Sequence, residues 1–303
     1  MIRSVTVINP RGESIQLELR FPERSGFLIQ DITGLGPSKA NINSTDLSTM
    51  DGSIYNSSRL SSRNITLNLK LMANPTVETM RQLSYKYFPI KKRVTLRIEL
   101  DNRTVETYGY VESNEPVMFS SQQNTQISIV CPDPYFYSLE EDKTVTIFSG
   151  IVPAFEFPFS NESGTESLIE MGTIILTQEQ NIPYDGDSEI GVTIFIHAVG
   201  DVTNLVIYNP LTGESMKIDT DRLTTLTGYA IINGDDIIIS TIKGQKSITL
   251  IRDGISINIL NCLDRDVDWL QLSRGDNGFS FYSDTGLTNL QFRIENQTVY
   301  EGV

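Results

Sequence analysis

Apolar and polar residues alternate one for one along most of this chain, and a period of two commits it to β-structure. From Val94 to Leu100, the residues Val94, Leu96, Ile98 and Leu100 fall on one face, with Thr95, Arg97 and Glu99 on the other. Asp101-Asn102 supplies a turn, and a strand from Thr104 to Val111 returns, so the two form a hairpin. Ile65, Leu67 and Leu69 alternate with Thr66, Asn68 and Lys70. Gln126 to Cys131 is another strand, stopped by Pro132-Asp133-Pro134. The N-terminus alternates from its second residue and lacks the basic head and apolar run of a signal peptide.

One segment changes period. Asn74-Pro75 offers a cap followed by a proline suited to the first helical position. Val77, Met80, Leu83 and Tyr87 then recur at spacings of three and four, and Pro89 ends the run. The spacing predicts one amphipathic helix over about 75–87, packed on the first sheet. Residues 20–61 read as irregular: Gly, Ser, Asn and Asp crowd there with few apolar anchors. A loop that long inside a compact domain serves a function or is disordered, and an arm docking on a neighbouring copy is one physical use.

A length of 303 residues favours about two domains. The aromatic run Tyr135-Phe136-Tyr137 followed by Glu140-Glu141-Asp142-Lys143 marks the boundary, giving domains 1–140 and 141–303. Beyond it, short strands such as Ile190/Val192/Ile194/Ile196, Ile237/Ile239 and Leu290/Phe292/Ile294 are separated by Asn209-Pro210, Asn233-Gly234-Asp235 and Asp253-Gly254. Many short strands with such turns predict a sandwich or jelly roll.

The residues for catalysis and metal binding do not assemble into a pattern. The single histidine, His197, sits in an alternating strand with no nucleophile motif, which favours a surface or packed role over a catalytic one. Asp185, Asp187 and Glu189, like Asp264, Asp266 and Asp268, fail the twelve-residue calcium-loop pattern and read as solvated turns. Gly34-Leu35-Gly36-Pro37 precedes no helix and reads as a turn rather than a phosphate cradle. Cys131 and Cys262 make neither a disulfide framework nor a zinc site, which points to synthesis in a reducing cytoplasm. No catalytic residue, cofactor or metal is therefore expected, and the chain reads as a non-enzyme. Trp269, beside Leu270 and Leu272, could stack on a sugar ring, although a core role is favoured. Lys91-Lys92-Arg93 is the only notable basic cluster on a chain of net charge −14. That charge argues against tight binding to DNA or an anionic membrane, while it suits a wall past which DNA slides. No apolar run is long enough to span a membrane as a helix.

A longer pattern runs through these segments. Phe27-Leu28-Ile29 leads to Asp31-Ile32-Thr33-Gly34-Leu35, then Asp51-Gly52, Ser58-Arg59-Leu60 and Ser62-Arg63-Asn64-Ile65-Thr66-Leu67. The helix, Lys92-Arg93, Tyr108-Gly109-Tyr110-Val111-Glu112 and the close Cys131-Pro132-Asp133-Pro134-Tyr135-Phe136-Tyr137 follow. The second half adds Asn209-Pro210-Leu211-Thr212-Gly213-Glu214, Trp269-Leu270-Gln271-Leu272 and Gly275-Asp276-Asn277. In order and spacing this resembles the distal tail protein family of long-tailed bacteriophages, also met in prophages and phage-tail-like bacteriocins.

The resemblance implies a mainly β fold: an N-terminal β-sandwich or split barrel with one α-helix and a protruding β-arm, then a galectin-like jelly-roll β-sandwich. It implies a homohexameric ring at the virion tail tip, joining the tail tube protein to the tail hub or tip protein. The outer domain would carry receptor-binding protein or touch cell-surface sugars, and DNA would pass only as cargo. Head-to-tail ring closure needs a heterologous interface, and the 20–61 segment suits an arm reaching the next copy. Ser58, Arg59, Ser62 and Arg63 are expected at that contact or fixing the arm's base, with local hydrogen bonding at a strand start as their alternative role. The alternative function is a carbohydrate-binding module working through the C-terminal domain, with Trp269 as its sugar contact.

Overall fold

The computed structural model describes residues 1–47, 51–119, 123–153 and 172–303. The chain is mainly β and divides into two compact units, Met1–Glu141 with Val299–Val303, and Asp142–Thr298.

The first unit contains β1 (Ile2–Ile8), β2 (Ser14–Glu18), β3 (Phe27–Thr33), β4 (Ala40–Asp46), β5 (Ser53–Leu60), β6 (Arg63–Leu71), α1 (Val77–Tyr87), β7 (Arg93–Leu100), β8 (Thr104–Pro116), β9 (Asn124–Cys131) and β10 (Phe136–Ser138). Its main sheet runs β2-β1-β7-β8-β9-β6-β3, antiparallel throughout. The two end strands, β2 and β3, lie beside each other without a ladder joining them, so the sheet stays open and no barrel closes. The period-two pattern reappears as burial: Ile65, Leu67, Leu69 and Leu71 of β6 point inward, as do Val94, Leu96 and Ile98 of β7. With Val5, Val7, Leu17, Phe27, Ile127 and Ile129 they form one core.

α1 covers part of this core through Met80, with Val77, Leu83 and Tyr87 packed at its margin. It starts later than the sequence suggests. Thr76, not Asn74, is the cap, accepting the Thr79 N–H at 3.2 Å, and the Asn74–Pro75 peptide is cis, outside the helix. The segment read as irregular is also largely ordered. β3 lies within it as a full strand of the main sheet, and β4 and β5 form a separate hairpin.

The second unit contains β11 (Thr144–Pro153), β12 (Gly172–Leu176), β13 (Glu179–Tyr184), β14 (Ile190–Gly191), β15 (Thr193–Ala198), β16 (Val206–Tyr208), β17 (Ser215–Lys217), α2 (Thr220–Thr227), β18 (Asp236–Ser240), β19 (Ser247–Arg252), β20 (Ile255–Asn258), β21 (Gln271–Leu272), β22 (Gly275–Tyr282) and β23 (Leu290–Asn296). One sheet has the order β12-β11-β23-β15-β18-β19-β20 and another β13-β22-β16-β17. Phe148 and Phe292 of the first sheet meet Phe281 of the second at centroid distances of 6.4 and 4.8 Å, a packing that joins the two layers. Arg252 and Asp235 form a bidentate pair at 2.7 and 2.6 Å, with Asp235 almost wholly buried. The Asp235 carboxylate also accepts the Ile232 N–H, and Arg252 donates to the Ala230 carbonyl, so the pair pins the 228–235 loop. α2 is absent from the sequence expectation. Its caps are clear, Asp219 accepting two N–H groups and Gly228 left-handed, but its eight residues are threonine-rich and bury only Leu223 and Thr220. Among the described residues no helix is long and apolar enough to cross a membrane.

The chain then returns. β24 (Val299–Tyr300) pairs with β10, so the last five residues belong to the first unit rather than to a domain running to residue 303. The pairing explains this: Phe136↔Tyr300 and Tyr137↔Val299 add a strand to the β10 edge, and the Val303 N–H donates to the Leu35 carbonyl at 3.0 Å. β11 and β23 are neighbours, with Thr144 opposite Asn296, so the second unit begins and ends on adjacent strands.

Deleting Val299–Val303 is expected to lower the melting transition of the first unit while leaving that of the second in place. Hydrogen exchange should show loss of protection in β10, and unchanged exchange there would refute the sealing role of the tail.

Candidate functional site

The candidate site is the β4–β5 hairpin and its anchorage. All residues of β4 are exposed, as are Ser53–Arg59 of β5. Nothing in the first unit's core covers the hairpin, so its own cross-strand bonds hold it. Asn43 donates to the Ser57 hydroxyl at 3.0 Å, Asn56 to Thr45 at 2.7 Å and Asn41 to Ser61 at 2.9 Å. The asparagine, serine and threonine content that makes this segment look like loop therefore serves as a side-chain ladder. A bulge between Asn43 and Ser44 shifts the register.

Directly paired residues share a face of a ribbon. Ile42 pairs with Ser58, and Ser44 with Tyr55, so these four lie on one face, where the Tyr55 and Ser58 hydroxyls are 2.8 Å apart. Asn41 pairs with Arg59, and Thr45 with Ile54, on the other. Ser58 and Arg59, neighbours in sequence, thus face opposite ways. Both faces carry open apolar surface: Ile42 is 66% exposed, Tyr55 62% and Ile54 51%. An apolar side chain of this size gains about 1.5–3 kcal/mol on burial, so such a ribbon is poorly satisfied alone.

The hairpin's base is built around Arg63, which is 3% exposed. Its Nη1 donates to the Gly34 and Gly36 carbonyls at 2.7 and 2.5 Å. Nε and Nη2 donate to the Pro134 carbonyl at 2.8 and 2.6 Å, and Nη2 also donates to the Glu301 carbonyl at 2.6 Å. The guanidinium lies over the Phe136 ring, 4.3 Å from its centre. Burial pulls its pKa down, opposed by the nearby Cys131 and Asp133. Gly34, with φ +84°, fits this junction because a Cβ there would collide with the Asn64 carbonyl. The Gly34-Leu35-Gly36-Pro37 turn supplies two of the carbonyl acceptors that hold the guanidinium.

The Asp133-Pro134-Tyr135-Phe136-Tyr137 close supplies the rest. Asp133 accepts the Tyr135 N–H at 3.2 Å and the Tyr137 hydroxyl at 2.6 Å, which fixes the turn that aims the Pro134 carbonyl. Burial and this carboxylate push the Tyr137 phenol's pKa up. Of the four residues expected at an interface, Ser58, Arg59 and Ser62 are exposed, whereas Arg63 is enclosed. Its position fits the role of fixing the arm's base. The partners of Arg63 were invisible in the sequence because all four are backbone carbonyls, one of them 238 residues away.

The other candidates lie apart. His197 Nδ1 is 2.6 Å from Asp236 Oδ1 on the exposed face of the seven-stranded sheet. Trp269 is half-buried with Lys246 Nζ 5.0 Å from its ring centre, in a shallow pocket shared with Arg222 and Asp264. Among the described residues no group of three or more His, Cys, Asp or Glu side chains is placed to hold a metal ion. Cys131 and Cys262 are free, buried thiols.

These features define a class: mainly β chains with a free-standing hairpin on the first unit and a second unit of packed sheets set between that unit's β10 and its closing strand. No family model matches the sequence, and no curated protein matches it. Among solved structures, the chain is similar to the Dit protein of phage SPP1, described as a paradigm of the hub adsorption apparatus in phages infecting Gram-positive bacteria. The TM-score is 0.64 at 13% identity, covering 97% of this chain and 98% of that one. It is also similar to a chain of the phage p2 baseplate in its activated conformation with strontium, with a TM-score of 0.50 at 12% identity and 98% of both chains covered. At these identities the likeness is one of fold.

Arg63→Ala is expected to cost about 3–5 kcal/mol in the first unit, the scale of breaking a buried charged network. Arg63→Lys should recover only part of it, because an ammonium cannot reproduce the planar fork. Urea unfolding followed by hydrogen exchange at β6 and β10 checks both. A second expectation concerns Cys131, whose pKa burial pushes up from 9.0 to about 11. The folded state holds the neutral thiol, so the stability it contributes is complete below pH 9.0 and lost as pH rises toward about 11. At pH near 8 a disulfide reagent should label Cys131 only after unfolding, and fast labelling of the native protein would contradict this.

Proposed function

We propose that this chain is a structural component of a phage tail tip, built as a ring of about six copies with head-to-tail contacts. The β4–β5 hairpin of one copy reaches its neighbour, with Ser58, Arg59 and Ser62 at or near that contact and Arg63 holding the hairpin's base. The ring joins the tail tube protein to the tail hub, and the second unit faces outward toward receptor-binding components. DNA passes through the lumen as cargo, no membrane is entered, and the chain performs no catalysis of its own. The protein is made in the host cytoplasm and resides at the virion tail tip.

The observation that carries this reading is the free hairpin: a ribbon with exposed Ile42, Ile54 and Tyr55 and no cover from its own core. Support comes from the fold shared with the SPP1 Dit protein across 97% of the chain. The net charge of −14 fits a wall that does not trap phosphates.

Light scattering and negative-stain microscopy test the proposal, with the protein alone and with tube and hub proteins added. A ring is expected in at least one of these mixtures. Ile42→Asp combined with Tyr55→Asp should abolish it while leaving the melting temperature within a few degrees, since neither side chain touches the core. A protein that stays monomeric in every mixture, or a double variant that still forms rings, would overturn the assignment to the hairpin.

A further inference from the structure

The exposed face of the second unit's seven-stranded sheet carries a groove of about 400 Å³ that the tail-tip reading does not use. Cross-strand register lays its residues out in two rows. The first runs Gln291, His197, Asp236 and Ile251 across β23, β15, β18 and β19. The second runs Ile147, Arg293, Phe195 and Ile238 across β11, β23, β15 and β18. A sheet face turned to water normally carries polar side chains. Here Phe195, Ile238, Ile147 and Ile251 make an apolar floor, and polar groups stand beside it.

Those polar groups have capacity to spare. His197 and Asp236 hold each other through Nδ1 and Oδ1, which leaves His197 Nε2 and Asp236 Oδ2 without a protein partner among the described residues. The Gln291 amide likewise has none there. Arg293 lies over the Phe195 ring at 4.6 Å and reaches Glu295 through Nε at 3.4 Å, so its two Nη groups are open. Donors and acceptors of both kinds thus converge on an apolar strip within a volume at the small end of ligand clefts, roughly 300–1,000 Å³. The charges select the ligand. Asp236 lines the groove beside Arg293, and Glu295 pairs with Arg293 from outside it, so an anion entering the groove meets a guanidinium already balanced by carboxylates. A neutral polyhydroxyl ring meets an apolar floor for its C–H face and paired donors and acceptors for its hydroxyls.

The geometry points to this groove as a binding site for a neutral saccharide, centred on Phe195, His197, Asp236, Gln291 and Arg293. It replaces Trp269 as the sugar contact: no groove residue is shared with the pocket that Trp269 lines. The inference stands independently of ring formation, because the groove lies wholly on the second unit.

Saturation-transfer NMR on the full chain tests it with neutral disaccharides built on glucose, galactose and N-acetylglucosamine, and with glycerol phosphate as the anionic probe. At least one neutral sugar is expected to bind with a Kd no weaker than about 10 mM. Asp236→Ala and Gln291→Ala should each weaken it by about tenfold, the scale of a lost hydrogen bond to a charged or planar group. Trp269→Ala should leave it unchanged. Both groove substitutions are half-exposed and outside the core, and matching melting curves would confirm folding. Absence of any neutral binder, preference for glycerol phosphate, or loss of binding on Trp269→Ala but not on Asp236→Ala would each overturn the assignment. Ring formation measured on the same groove variants should be unaffected, which separates a failure here from a failure of the tail-tip reading.

Discussion

One buried guanidinium organises the first unit. Arg63 sits at the start of β6, where the hairpin hands the chain back to the main sheet, and it faces no carboxylate at hydrogen-bonding distance. A cation taken out of water is tolerated only when its donors are all used. Here five N–H···O contacts are spread over four carbonyls from three separate stretches of chain: the turn before the hairpin, the loop after β9 and the C-terminal tail. Each of those stretches contributes at least one backbone carbonyl to the guanidinium. The same side chain therefore sets where the hairpin leaves the sheet and where the tail is held. Arg103 adds to the second of these, stacking on Tyr300 and donating to the Gly302 carbonyl.

The strands with clean alternation were legible because burial on one face of a sheet forces a period of two. Val94–Leu100 and Ile65–Leu69 appear in the structure with the expected face inward. α1 was legible for the equivalent reason at a period of 3.6, although its start was misread because Asn74-Pro75 mimics a cap. β3 escaped notice since only Phe27 in it is buried, and its bulge at Ile29/Asp31 breaks the alternation. α2 escaped because one leucine cannot declare a helical stripe. The return of the C-terminus could not have been read at all, as Val299-Tyr300 carries no signal of which edge it will join.

For the candidate site the division is similar. The segment around Ser58–Arg63 could be singled out, but its split into two hairpin faces and a buried anchor depends on register and on backbone acceptors. The groove on the second unit was hidden for another reason. His197 was visible in an alternating strand, yet Gln291, Asp236 and Ile238 join it only through strand order β23-β15-β18, which crosses nearly one hundred residues of sequence. His197 was read as a surface or packed residue in preference to a catalytic one, and the structure pairs it across strands with Asp236.

The adjacency of Thr144 and Asn296 has a consequence for how such a chain can change over time. Because the second unit enters and leaves on neighbouring strands, its two ends lie side by side where it interrupts the chain of the first unit. Any insert whose first and last strands are neighbours, whether a longer sandwich, a different fold or a bare hairpin, would meet the same requirement on its two ends. The second unit is thus an insertion in the strict sense, one that can lengthen or diverge without altering the strand order of the first. The first unit, whose last strand and Arg63 contact arrive only after the insert has been made, must remain compatible with whatever lies between.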